Sequence, residues 1–135
     1  MKGIIKFAGL ALFMALLFSC FSQRVVPSSD AARLGIKGNS DVKDSTEYEL
    51  TVFDVGFDYW LSSRGYSANQ YSNGYLQSMN SRYVQEWNRR YIKGDRRMGS
   101  NIDYDILTHY NIEFNFKLFM YFKYFEETNR IKLLQ

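Results

Sequence analysis

Carboxylates recur in two close pairs, Asp54 with Asp58 and Asp103 with Asp105. Two acids facing each other across a substrate serve as general acid and general base, the arrangement that hydrolyses glycosidic bonds. Structural work is open to the same residues. Asp54 and Asp58 fall where a helix begins, and either can cap it or sit at the positive end of its dipole. Asp103 and Asp105 belong to a turn-forming NIDYD stretch, which lacks the Gly and the distal bidentate Glu of a calcium loop. The structural roles are the favoured ones. His109 stands in Thr-His-Tyr-Asn, with no Ser-His-Asp context and no G-x-S-x-G elbow in the chain, and it reads as a surface or capping residue. The sequence therefore offers no catalytic constellation, no metal set and no cofactor motif, and the expectation is a non-enzyme.

Two further groups are suited to binding. Arg89, Arg90, Lys93, Arg96 and Arg97 put five bases in nine residues, with Asp95 among them. Such a cluster can meet phosphates of lipid head groups or lipopolysaccharide. It can equally be a solvated face in which Glu86 pairs with Arg90 one helical turn away and the cations complement a helix C-terminus; the solvated face is favoured. Tyr66, Tyr71, Tyr75, Tyr83 and Tyr91 supply rings that stack on sugars or build partner interfaces. Tyr75, Tyr83 and Tyr91 fall on a helical stripe and are expected in the core. Tyr66 and Tyr71 lie in a polar loop and are expected to be exposed.

The elements that must position these residues begin with a leader. Lys2 and Lys6 precede an apolar run over 7–18, the pattern of a secretory signal. About 12 apolar residues span only ~18 Å as helix, short of the ~30 Å of a bilayer core. Leu17-Phe18-Ser19-Cys20 follows. It resembles the lipobox of bacterial lipoprotein signal peptides, with Leu at −3, a small residue at −1, then the Cys. Phe18 is bulkier than the −2 residue usually found. A plain signal cut after Ser22 also fits a small-x-small pattern. Lipidation is favoured because Cys20 is the only Cys of the 135 residues and an unpaired Cys in an exported chain needs a use. The lipobox resemblance implies acylation of Cys20 and stable anchoring by several chains.

A single Cys excludes an internal disulfide and a Cys-rich zinc site, and a single His excludes H-E-x-x-H. The full chain carries a net charge of +3; without Lys2 and Lys6 it holds 15 basic and 14 acidic side chains. Near neutrality argues against nucleic acid as a partner.

The organisation expected is a leader at 1–19, the lipidated Cys20 and a flexible tether over 20–45, and one globular domain over 46–135. The tether holds the only Pro and no aromatic after Phe21, and ~25 flexible residues reach ~25–30 Å. Within it AARLGIK can make a brief amphipathic turn, weakened by Gly35 and Gly38. The body holds 20 aromatics between Tyr48 and Phe125, one way for a small domain to build a core without disulfides.

Alternation of Tyr48, Leu50 and Val52 with Glu47, Glu49 and Thr51 predicts a strand over 48–55. A short helix is predicted over 57–63, ended by Arg64-Gly65, and a loop over 66–74. Tyr75, Met79, Tyr83, Trp87 and Tyr91 form a stripe spaced by four, predicting a helix over 75–93 with Asn73 as N-cap and Gly94 at C′. A break near Asn80-Ser81 would split it. Residues 95–101 read as a loop and 102–108 as a turn. Residues 112–128 alternate like a strand at Ile112, Phe114, Phe116 and Leu118, yet their length and exit favour helix. The tail 130–134 can add a strand beside 48–54. The fold expected is α+β: a single small domain with an aromatic-rich core, short strands and two or three helices.

The segments YELTVFDVGFDYWL, SRYVQEWNRRY and FKLFMYFKYFEE resemble a family of small, uncharacterised Bacteroidetes lipoproteins that share a domain of unknown function. The resemblance covers about 47–134. It rests on Asp54, on Gly56, Phe57, Trp60 and Leu61, and on the Tyr83 to Asn88 core. It implies class and compartment and carries no reaction. In such bacteria, surface-exported lipoproteins usually carry acidic residues after the Cys. Here Phe21, Ser22, Gln23 and Arg24 follow, which implies an outer-membrane protein facing the periplasm. The function expected is a membrane-anchored, non-enzymatic binding or assembly accessory with an envelope protein as partner. The alternative is a glycan or peptidoglycan binder, or weak hydrolase, using exposed Tyr and the Asp pairs.

Overall fold

The computed structural model describes residues 33–39 and 47–135. The expected leader, Cys20 and most of the expected tether lie outside the described residues. What is described is the expected α+β domain: strands β1 (Leu34–Asn39) and β2 (Glu47–Val52), then helices α1 (Phe57–Arg64), α2 (Asn73–Ile92) and α3 (Ile112–Asn129). Among the described residues no helix is long and apolar enough to cross a membrane.

The strands form an antiparallel ribbon in which Leu34 faces Val52 and Ile36 faces Leu50. This corrects the tether reading at 34–39. The two glycines that weaken a helix there are tolerated in a strand, and Gly35 has a specific use. A Cβ on it would lie 3.2 Å from the Phe53 ring, so the missing side chain seats that ring. β2 stops at Val52, three residues before the expected end. Leu50 is buried while Phe53 and Val55 are exposed, so the buried alternation ends where the strand does. The tail 130–134 is not a strand. It is held from elsewhere: Leu133 N donates to Glu126 Oε1 at 2.7 Å and Arg90 donates to the Lys132 carbonyl at 2.8 Å.

Local signals set the helix ends. α1 lies between Gly56 and Gly65, both in the left-handed region at φ 98° and 66°, which costs Gly no Cβ clash. α2 is capped by Ser72, whose Oγ accepts from Tyr75 N. Asn73, the expected cap, is the first residue of the helix, and its side chain turns to other work. α2 runs unbroken through Asn80-Ser81 and ends with Gly94 at positive φ. Asn111 caps α3 by accepting from Phe114 N at 2.8 Å.

The buried face of α2 is Leu76, Asn80, Tyr83, Val84 and Trp87, not the stripe spaced by four. At 3.6 residues per turn, a strict step of four drifts about 40° each time. Tyr83 and Trp87, mid-stripe, are buried, whereas Tyr75 and Tyr91, at its ends, rotate out to 48% and 40% exposure. α3 is buried nearly all round, from Phe114 through Glu126. That explains its strand-like alternation: a central helix carries apolar residues on every face. Tyr83 stacks on Phe122 at 4.8 Å, and Trp87 tilts against Phe125 at 4.6 Å.

Contacts advance together along both helices, Asn80 with Asn115 and Trp87 with Phe125, so α2 and α3 run parallel. Residues 93–111 must return the chain along them. Apart from one turn of 3₁₀ helix (Arg96–Met98), this segment has no regular structure, so its backbone groups need outside partners. α2 supplies them. Trp87 Nε1 donates to the Ser100 carbonyl, Asn88 clamps both backbone groups of Ile102, Gln77 reaches the Ile106 carbonyl and Asn73 the Tyr110 carbonyl.

A buried amide network joins the three pieces. Asn80 Nδ2 donates to the Asn115 carbonyl at 2.9 Å. Asn115 Nδ2 donates to Asn73 Oδ1 at 2.8 Å, and its Oδ1 accepts from Tyr104 OH at 2.9 Å. Asn80 and Asn115 are both fully buried. Removing one amide strands the others in an apolar core, at about 1–3 kcal/mol per orphaned group. Asn115→Ala is therefore expected to destabilise the domain by about 2–4 kcal/mol, read as a lowered urea midpoint.

Candidate functional site

The paired carboxylates are taken by structural contacts or lie in the open. Asp54 receives a hydrogen bond from Arg33 at 2.7 Å and another from Tyr121 OH, which ties the ribbon to α3. Burial first, and the Asp54 contact second, hold the Tyr121 phenol well above its usual value. Asp58 is exposed in the first turn of α1, where its charge suits the helix dipole. Asp54 caps nothing; Gly56 is the N-cap. Asp103 and Asp105 line a cleft of about 320 Å³ beside Tyr48 and Tyr110. Asp105 shapes its own turn, accepting from Leu107 N and Thr108 Oγ1. His109 is exposed. Among the described residues no three His, Cys, Asp or Glu are grouped to hold a metal ion.

The basic cluster is largely internal wiring. Arg89 and Arg90 both donate to Glu86, at 2.6–2.7 Å. Arg90 also holds the Lys132 carbonyl, and Arg97 pairs with Asp95.

The loop tyrosines behave differently. Tyr66 and Tyr71 line one groove, of about 660 Å³, with Tyr75 and Trp60. Tyr66 and Tyr75 are 46% and 48% exposed, and Tyr71 is half-buried. Tyr71 and Tyr75 lie nearly parallel, 13° apart with centroids at 6.1 Å, and both meet Phe119 edge-on. Tyr66 is tilted against Trp60 at 6.5 Å. The floor, Phe119 and Met120, comes from α3 and is covered. The rings arrive from α1, the loop after it and the start of α2. Tyr75 is there because it has rotated off the buried face.

Charge rims the groove. Glu126 and Glu127 line it, but each is engaged within the chain: Glu126 by Leu133 N, and Glu127 by Arg64. The Arg64 guanidinium also lies 5.2 Å over the Trp60 ring. Lys123 Nζ donates to Tyr83 OH at 2.8 Å. Burial works to lower its pKa, but the Tyr83 contact and nearby Glu126 outweigh that and raise it, so it stays charged. Arg130 and Lys132 are exposed on the rim. Neither pairs with a carboxylate among the described residues. Arg130 and Lys132 were not singled out from sequence, and Trp60 entered only through the family resemblance. The only local signal was the positive charge of a tail that reads as a strand.

Residues 8–135 match the model of a family of unknown function (DUF6146), and the chain belongs to that family. Comparison with curated proteins and with solved structures returns no match.

The Glu86 pairing sets an acid limit. Its hydrogen bonds with Arg89, then Arg90, hold the carboxyl at about 2, well below the usual range. A carboxylate lowered on folding contributes stability that is complete above its unfolded value, ~4.3, and lost as pH falls toward 2. Glu86→Gln is expected to destabilise the domain at pH 7 and to flatten the loss of thermal midpoint between about pH 4.5 and 2. A variant whose acid profile keeps the parent slope would contradict this.

Proposed function

We propose that the chain is a lipid-anchored envelope protein whose body is a non-enzymatic binding module acting through the Trp60–Tyr66–Tyr71–Tyr75 groove. The groove carries the reading. Half-exposed aromatic rings on a folded surface are what interfaces and ligand sites are enriched in. A binding role is favoured over hydrolysis because neither Asp pair lines the groove and both of its carboxylates are held by the chain's own groups.

The anchor rests on the 7–18 run and on Leu17-Phe18-Ser19-Cys20. The family match spans residues 8–135, a range that includes position 20. The absence of acidic residues after Cys20 favours the periplasmic side of the outer membrane.

The test places a photo-crosslinking amino acid at Tyr66, and in a second strain at Tyr91, which is 40% exposed and lies outside the groove. The expected outcome is a discrete envelope adduct from position 66 and none from 91. In parallel, Cys20→Ala should abolish labelling by an alkyne fatty acid, release the protein from membranes and remove the adduct. Equal or absent adducts at both positions overturn the groove as the binding surface. Fatty-acid labelling that survives Cys20→Ala overturns the anchor.

A further inference from the structure

We infer that the groove takes a short saccharide carrying a carboxylate, its sugar faces on Tyr66, Tyr71 and Tyr75 and its acid on Arg130 and Lys132. The inference rests on the reading of the groove as the binding surface. Three observations carry it.

The first is what the groove offers. A partner's amphipathic helix needs an apolar trough, and here the apolar floor is already closed: Phe119 and Met120 are only 4% and 1% exposed. What remains open is ring face and charged rim. The C–H bonds on the flat side of a pyranose are slightly positive and suit the negative face of an aromatic ring, while its hydroxyls reach the rim. Tyr75 stacks on Tyr71 at 13° from parallel and stays 48% exposed, as Tyr66 does at 46%, so the two exposed rings are Tyr66 and Tyr75. The volume, about 660 Å³, lies in the range of small-molecule sites.

The second is charge complementarity. Lys123, Arg130 and Lys132 line the groove against Glu126 and Glu127, and both carboxylates are occupied by groups of this chain. Glu127 is exposed but paired with Arg64, so among the described residues the unpaired exposed charge on the rim is positive, from Arg130 and Lys132. Arg grips a carboxylate through two parallel N–H donors, which favours a planar acid over a neutral sugar.

The third is the backbone of Arg130. It ends α3 at φ 52°, the only non-Gly residue at positive φ among those described. Helices usually put Gly there, because the left-handed region crowds the Cβ of any other residue. Here the turn closes the helix, Arg130 N donating to the Glu126 and Glu127 carbonyls, and it leaves the Arg130 side chain exposed on the groove rim.

The experiment titrates the full-length acylated protein in detergent with two acidic probes, trigalacturonate and a disaccharide containing N-acetylmuramic acid, each beside its methyl ester. At least one acid is expected to bind about tenfold more tightly than its ester. Arg130→Gln with Lys132→Gln should erase that difference while leaving the ester's affinity. Tyr66→Ala with Tyr75→Ala should weaken both forms about tenfold. All four positions are exposed, and circular dichroism checks each variant; should the tyrosine pair unfold, the Arg130 and Lys132 arm still decides. Equal binding of acid and ester, with the Arg130→Gln and Lys132→Gln variant inert, overturns the carboxylate. No binding of any probe while the Tyr66 adduct persists overturns the saccharide and leaves the groove reading standing. Loss of both overturns the two together.

Discussion

Asn80 and Asn115 hold the domain in register. The aromatic packing between α2 and α3 is plentiful but only weakly directional, since rings tilt and slide at small cost. Two buried amides are less forgiving. Asn80 donates to the backbone of α3, and Asn115 bonds both Asn73 at the start of α2 and Tyr104 in the returning segment. A slip of one residue would leave these groups unpaired in an apolar interior, where an unmet amide is most costly. The network therefore selects one alignment of the helices. The same alignment allows the α2 side chains to carry hydrogen bonds for a return segment that is almost entirely irregular.

With α2 and α3 parallel and α3 buried on nearly every side, the domain spends its aromatics unevenly. Those near the middle of α2 close the core against α3. Tyr75 at its start and Tyr66 in the loop after α1 stand half-exposed, with Trp60 and Tyr71 partly buried beside them. The groove is thus the place where a ring-rich core runs out of chain to cover it. Its floor comes from α3, so the arrangement of the exposed rings depends on the helix pair.

Electrostatics follows a similar division. Three acids are consumed inside the fold: Asp54 by Arg33 and Tyr121, Glu86 by Arg89 and Arg90, and Glu126 by Leu133 N. Arg90 and Glu126 pin the tail from α2 and α3 respectively, and that places Arg130 and Lys132 on the groove rim. The basic edge of the groove is a by-product of how the tail is fastened, and Glu86, away from the groove, supports it through Arg90.

Features encoded by neighbours along the chain could be read directly. Helices α1 and α2, the glycines that bound α1 and follow α2, the strand at 47–52 and the exposure of Tyr66 each depend on a few adjacent residues, whereas Tyr71, expected exposed, is half-buried against α3. Features encoded by which segments meet could not. Strand β1 was hidden because its two glycines count as breakers until Phe53 packs over one of them and β2 supplies the ladder. The stripe spaced by four pointed Tyr75 inward because helical drift matters only once a partner helix defines which side is in. Asp54 was expected to do structural work at a helix start, but its actual partners, Arg33 and Tyr121, are set by the fold and lie far away in sequence. The groove itself joins residues 60 to 75 with residues 119 to 132, a separation no local pattern spans, and only burial of α3 by its neighbours brings those residues together.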